Sequence, residues 1–117
     1  MKNSRLKGHN YERELAKTFR EKGWVYCKTA REASGKLVDD SGRDLIDTEP
    51  FNIQAKNVET LGSAHNTLAK MPIDGRINVV FHRRNRKGVI VALSEEDFWK
   101  ILDSVDLEKL DKGVCNV

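Results

Sequence analysis

Apolar positions recur with a helical period near the start of the chain. Tyr11, Leu15 and Phe19 fall at i, i+4 and i+8 and stack into one stripe on a helix. Glu12, Arg13 and Glu14 border the stripe and Gly23 is a natural stop, so a helix is expected from Leu6 to Lys22. Trp24 to Thr29 (WVYCKT) is aromatic and β-branched and reads as a strand. Ala30 to Arg43 has turn character, punctuated by Ser34-Gly35, Asp39-Asp40 and Ser41-Gly42. The next stretch, Gly42 to Lys56, reads GRDLIDTEPFNIQAK and has the form of a β-hairpin. Asp44 opens the first arm, Leu45-Ile46; the turn falls at Thr48-Glu49-Pro50; the second arm is Phe51 to Lys56.

The second half repeats the alternation of helix and strand. Leu61, Ala64, Leu68 and Met71 share a face of a helix expected over Thr60 to Met71 and ended by Pro72. Ile77 to Phe81 and Val89 to Leu93 are continuous apolar runs, the pattern of buried central strands. The basic run His82 to Lys87, with Gly88, reads as the loop between them. Ser94-Glu95-Glu96-Asp97 has the S-x-x-D form of a capping box. It opens a third helix with Phe98, Ile101, Leu102 and Val105 inward. Beyond Asp106 only Leu107, Leu110 and Val114 could anchor the tail, which reads either as a short docking helix or as a frayed end. The order helix, three strands, helix, two strands, helix implies one α/β domain over residues 1–117, a mixed central β-sheet flanked by helices.

Composition narrows the class. A length of 117 residues suits one compact domain, and 33% charged residues with 38% hydrophobic ones fit a soluble protein. No run approaches the roughly 20 apolar residues of a membrane span. Met1 to Arg5 is basic but lacks the apolar centre of a secretory signal. Cys27 and Cys115 have no metal-type spacing, and Cys27 reads as a buried thiol, so a reduced, cytoplasmic setting is expected. The net charge of +3 permits nucleic-acid binding without demanding it. Its distribution is uneven: Lys2, Arg5 and Lys7 cluster at the start, His82 to Lys87 is densely basic, and the acidic residues gather between Glu95 and Asp111.

Chemistry concentrates in the hairpin. Side chains alternate along a strand, so Gln54 and Lys56 share a face opposite Ile53 and Ala55. A turn centred near Pro50 would bring Asp44 to that face. A carboxylate, an amide oxygen and an ammonium would then converge. Mg²⁺ takes oxygen ligands and is commonly held by one or two carboxylates with waters. Asp44 is the natural first ligand, Gln54 a neutral one, and Glu12 on the first helix a possible third. Lys56 could orient or deprotonate an attacking water, or stabilise the charge that develops on a phosphate.

The residues Lys7-Gly8, Tyr11-Glu12-Arg13-Glu14-Leu15, Gly42-Arg43-Asp44-Leu45-Ile46 and Pro50-Phe51-Asn52-Ile53-Gln54-Ala55-Lys56, in this order of elements, resemble the PD-(D/E)XK nuclease superfamily. More narrowly they resemble archaeal-type Holliday junction resolvases and their phage-encoded relatives. The resemblance covers Lys7 to Lys56. It implies a restriction-endonuclease-like core and a Mg²⁺-dependent DNA endonuclease, with Mn²⁺ able to substitute. It also implies products ending in 5′-phosphate and 3′-hydroxyl, and a homodimer making two symmetric cuts in branched DNA. By position, Glu12 looks like the helix glutamate, Asp44 the motif aspartate, Gln54 the (D/E) residue and Lys56 the motif lysine. Two positions depart from the pattern. Gln54 is neutral, which removes one negative charge from the metal site, and Arg43 stands where the motif has Pro. A restriction- or repair-type nuclease, or a DNA-binding module without catalysis, fits the same residues.

The region from Arg31 to Asp40 corresponds by resemblance to a segment near the scissile phosphate, making Arg31, Ser34 and Lys36 candidate DNA contacts. Asp39 and Asp40 read as turn formers. Arg83, Arg84, Arg86 and Lys87 are candidate phosphate contacts, which would give affinity without sequence preference. His9, His65 and His82 show no ligand spacing and read as surface residues, with His65 expected nearest the site. Trp24 and Trp99 read as core or interface aromatics.

Overall fold

The structure, a computed structural model, describes residues 4–34, 43–59 and 62–110. Helix α1 (Ser4–Glu21) carries the expected stripe: Tyr11, Leu15, Ala16 and Phe19 are buried in one cluster with Leu45, Ile53, Ala55 and Val79. Past the helix, Gly23 adopts φ 124°, a conformation that L side chains rarely reach.

The expected strand over Trp24 to Thr29 shrinks to β1 (Lys28–Thr29). Trp24 N–H instead donates to the Phe19 carbonyl at 3.0 Å, and Cys27 N–H to the Trp24 carbonyl at 3.0 Å, so the backbone turns a corner. The indole explains the corner. It meets Phe19 and Phe51 edge-on at centroid distances of 5.3 and 6.2 Å, and its Nε1 donates to the Glu49 carbonyl at 2.7 Å. Only Trp24 and Cys27 turn inward here; Val25 and Tyr26 are exposed. Burial pushes the Cys27 thiol up to about 11, so it stays protonated and inert at neutral pH.

Ala30 to Ser34 forms helix α2 where a turn was expected. Thr29 Oγ1 accepts the Glu32 N–H at 3.1 Å, and a Glu32 carboxylate oxygen accepts the Thr29 N–H at 2.9 Å. That reciprocal pair is a T-x-x-E capping box, and it starts a helix. Strand β2 (Leu45–Ile46) pairs antiparallel with β1, Thr29 opposite Leu45. The turn that follows is tied by Thr48, which exchanges two bonds of 2.8 Å with the backbone of Phe51.

Strand β3 (Phe51–Asn57), helix α3 (Ala64–Ala69), strand β4 (Ile77–Arg84), strand β5 (Gly88–Ala92) and helix α4 (Glu95–Ser104) complete the fold. β3 and β4 are parallel, from Phe51 opposite Ile77 to Asn57 opposite Arg83; β5 joins β4 antiparallel, giving the order β3-β4-β5. The result is a mixed α/β fold with a three-stranded mixed sheet. Helix α3 is shorter than the expected Thr60 to Met71, because Ser63 is its N-cap, accepting the Asn66 N–H, and Gly62 before it has φ 76°. Residues 60–61 lie outside the described set.

Several expectations are corrected here. β4 is central and buried through Ile77, Val79 and Val80, but β5 is an outer strand with Val89, Ile90 and Val91 exposed. A continuous apolar run signals burial on both faces only when other elements cover them, and here β5 ends the sheet. β4 also runs through His82, Arg83 and Arg84, so the loop is only residues 85–87. His82 is buried rather than superficial, its Nε2 at 2.8 Å from the Val58 carbonyl. In α4 the Ser94 cap forms, accepting the Asp97 N–H at 3.1 Å, but no α4 residue is fully buried and Phe98 and Trp99 are exposed. The tail shows a helical turn at 107–110 with Leu107 and Leu110 exposed; residues 111–117 lie outside the described set. Among the described residues no helix is long and apolar enough to cross a membrane.

Candidate metal and nucleic-acid site

The expected hairpin forms in an opened version. β2 pairs with β1, and no ladder joins it to β3. Asp44 bridges the gap instead. Its N–H donates to the Ile53 carbonyl at 2.8 Å, and its Oδ2 accepts the Ala55 N–H at 2.7 Å. A side-chain carboxylate thus takes the place of a strand carbonyl on the edge of β3. This satisfies the Ala55 amide and fixes the direction of the Asp44 side chain. Oδ2 also accepts from Gln54 Nε2 at 3.1 Å. Asp44 and Gln54 therefore meet, through the Asp44 side chain on the edge of β3 and not through paired hairpin arms. Lys56 lies two residues on along the same face of β3 and is half-buried, opposite His82 across the parallel ladder.

One detail differs from the arrangement a metal ligand would need. Gln54 turns its NH₂ toward Asp44, because a carboxylate can only accept. Its amide must rotate to present oxygen to a cation. The donor chemistry otherwise fits a hard cation: the Asp44 carboxylate, the Gln54 amide and nearby backbone carbonyls are all oxygen donors. Among the described residues no group of three or more His, Cys, Asp or Glu side chains is placed to hold a metal ion.

Glu12 points into a small cleft of about 150 Å³ lined also by His9, Arg13, Thr29, Arg31 and Glu32. This cleft abuts Asp44 through the backbone: the Ala30 N–H, one residue past Thr29, donates to the Asp44 carbonyl at 2.8 Å. Arg31 joins Glu12 in the cleft. Ser34 ends α2, and Lys36, Asp39 and Asp40 lie outside the described residues. His9, not His65, is the histidine beside Glu12; His65 is exposed on α3.

Sequence reasoning missed Glu32. The signal was present as Thr29-x-x-Glu32, masked by the turn-forming residues that follow. The hydrogen bond from the Thr29 backbone, then that from its hydroxyl, lowers the Glu32 carboxyl below the usual glutamate range. A carboxyl lowered in the folded state stabilises above its unfolded value of about 4.3, and the contribution is lost as pH falls through the folded value. Wild type is therefore expected to exceed Glu32→Gln in stability near neutrality, with the difference shrinking as acid protonates Glu32. Denaturant unfolding of both proteins across that range checks it; a difference independent of pH would refute the charged cap.

The basic candidates separate. Arg83 Nη1 is ion-paired to Glu14 at 2.8 Å, and its guanidinium carbon lies 4.3 Å from the Tyr11 ring centroid. Arg84 and Arg86 line, together with Arg83 and Glu14, a second, larger cleft, and Lys87 is exposed on the turn. Burial pushes the Tyr11 phenol up, against the pull of Arg83.

Comparison with protein-family models, with curated proteins and with solved structures found no match for this chain.

Proposed function

We propose that this chain is a divalent-metal-dependent DNA endonuclease of the PD-(D/E)XK kind, acting on branched DNA as a homodimer. The observation that carries the reading is the Asp44 carboxylate, locked onto the edge of β3 by the Ala55 N–H beside Gln54, with Lys56 further along the same face. Held by Asp44, Glu12 and the Gln54 amide oxygen, Mg²⁺ (or Mn²⁺) would supply charge neutralisation on the phosphate and an activated water. Asp44 needs no reorganisation to serve, because its rotamer is fixed by β3. Lys56, on the same face of β3 as Gln54, would orient the water and offset the charge developing on the phosphoryl oxygens. Arg31 on α2 contacts the flanking DNA. The second copy docks over the apolar cleft of about 370 Å³ that Val91, Leu93, Phe98 and Ile101 line between β5 and α4.

The test uses a labelled four-way junction and a matched linear duplex, each with Mg²⁺, Mn²⁺ or EDTA. Paired nicks on the junction that require metal support the reading. No cleavage of either substrate with any metal overturns it.

A second reading, a DNA-binding module that retains the fold without cutting, is favoured by the Gln54 amide that caps Asp44. Gln54→Glu discriminates. It places a second carboxylate about 3 Å from Asp44, where like charges cannot both ionise freely. In EDTA the variant is expected to melt below wild type, and Mg²⁺ is expected to raise its melting temperature more than that of wild type. A variant that ignores Mg²⁺ would remove Gln54 from the metal site.

A further inference from the structure

The larger basic cleft is built from three separate parts of the chain, and only one of them is the arginine run. It has a volume of about 640 Å³ and is lined by Lys7, Asn10 and Glu14 of α1, Asn57 at the end of β3, and Arg83 to Arg86 with Gly88 of the β4–β5 hairpin. Four cationic side chains face a single carboxylate, Glu14. Asn10, whose Oδ1 accepts from Arg13 at 2.6 Å, adds a neutral amide NH₂, while buried Asn57 donates its Nδ2 to the Lys7 carbonyl at 3.5 Å and ties the end of β3 to α1. Asn57 directly follows Lys56, so the cleft begins one residue past the lysine of the proposed catalytic site, on the other face of β3.

The backbone of the hairpin tip supports a ligand role for Arg86. Lys87 N–H donates to the Arg84 carbonyl at 3.2 Å, which makes Arg86 the third residue of a tight turn. Its φ is 62°, while Asn85 before it has no positive φ. That turn position strongly prefers Gly, or Asn, because a β-carbon is strained there. The tip is held in place from outside, since the Asn85 N–H donates to a Glu59 carboxylate oxygen at 3.0 Å. The chain thus keeps a long cationic side chain where folding alone favours glycine, and that side chain lines the cleft. Glu14 restrains the neighbouring Arg83 by their ion pair.

We infer that this cleft binds the phosphodiester backbone of a DNA strand, with Lys7, Arg84 and Arg86 contacting phosphates. Glu14 holds Arg83 in reserve by pairing it. This inference rests on the proposed nuclease reading and adds to it a second DNA contact, on the face of β3 opposite Lys56.

The experiment is fluorescence anisotropy of a labelled single-stranded oligonucleotide across a salt series in EDTA, so that binding is read without cutting. Arg86→Gly relieves the turn strain, and so is expected to weaken binding severalfold while its melting temperature holds or rises. The slope of log affinity against log salt should fall by about 0.7 for each phosphate contact removed. Lys7→Gln, a change on α1 far from that turn in sequence, is expected to act in the same direction. Glu14→Gln should strengthen binding by about two- to fivefold, the scale of a partly exposed ion pair, because it frees Arg83. A merely structural cleft would not give changes of opposite sign. Wild-type affinity and slope in both Arg86→Gly and Lys7→Gln would overturn the inference while leaving metal-dependent cleavage intact. Absence of binding by wild type to any DNA, with no cleavage, would instead remove the nuclease reading itself.

Discussion

Asp44→Asn is expected to abolish metal-dependent cleavage while leaving the fold and DNA binding in EDTA near wild type. Partners that only support a metal ligand are worth about 10–100-fold in affinity or activity. Loss of the carboxylate itself should exceed that range. The choice of Asn matters. Asp44 has a second duty, accepting the Ala55 N–H at 2.7 Å. An Asn oxygen can still accept it, so the edge of β3 stays satisfied. Asp44→Ala cannot, and a buried amide left unpaired costs about 1–3 kcal/mol. Comparing the two variants separates chemistry from architecture. Cleavage of a four-way junction by Asp44→Asn within a few-fold of wild type would eliminate Asp44 as the metal ligand. A large drop in melting temperature for the same variant would make its role architectural.

Leu45→Ala is expected to destabilise the protein by about 2–5 kcal/mol. Leu45 is fully buried in the cluster that α1 forms with β3 and β4, so its truncation leaves a cavity there. The residue sits directly after Asp44 and pairs with Thr29 across β1 and β2. The β1–β2 pair next to Asp44 is therefore anchored in the core by this side chain. A denaturant midpoint that falls with unchanged slope is the readout. Ile73→Ala supplies the contrast, since Ile73 is 99% exposed and its truncation should stay within about 0.5 kcal/mol of wild type. Equal effects at the two sites would refute the burial assigned to Leu45.

The elements that sequence determined are those whose signals are local. The stripe of Tyr11, Leu15 and Phe19 required α1, because period-four spacing has one consistent geometry. The Ser94 cap set the start of α4, and alternation placed Gln54 and Lys56 on one face of β3. The meeting of Asp44 with Gln54 was expected from a paired hairpin, but it forms through the bond of Asp44 Oδ2 to the Ala55 N–H, without a β2–β3 ladder.

Tertiary structure decided the rest. A run such as Val89 to Val91 carries the same apolar signal in a central strand and at a sheet edge; only the order β3-β4-β5 leaves it exposed. The strand character of Trp24 to Cys27 yielded to a corner, because the Trp24 indole gained the nearby Phe19 ring and, from far along the chain, the Phe51 ring and the Glu49 carbonyl. Arg83 and Arg86 are near neighbours in one basic run. Both line one cleft, but only Arg83 is brought within 2.8 Å of Glu14 on α1, a pairing set by the packing of α1 beside β4. For Asp44, the sequence supplied the carboxylate, and the tertiary structure gave it a fixed direction through the unpaired edge of β3, whose Ala55 amide had no strand carbonyl to meet.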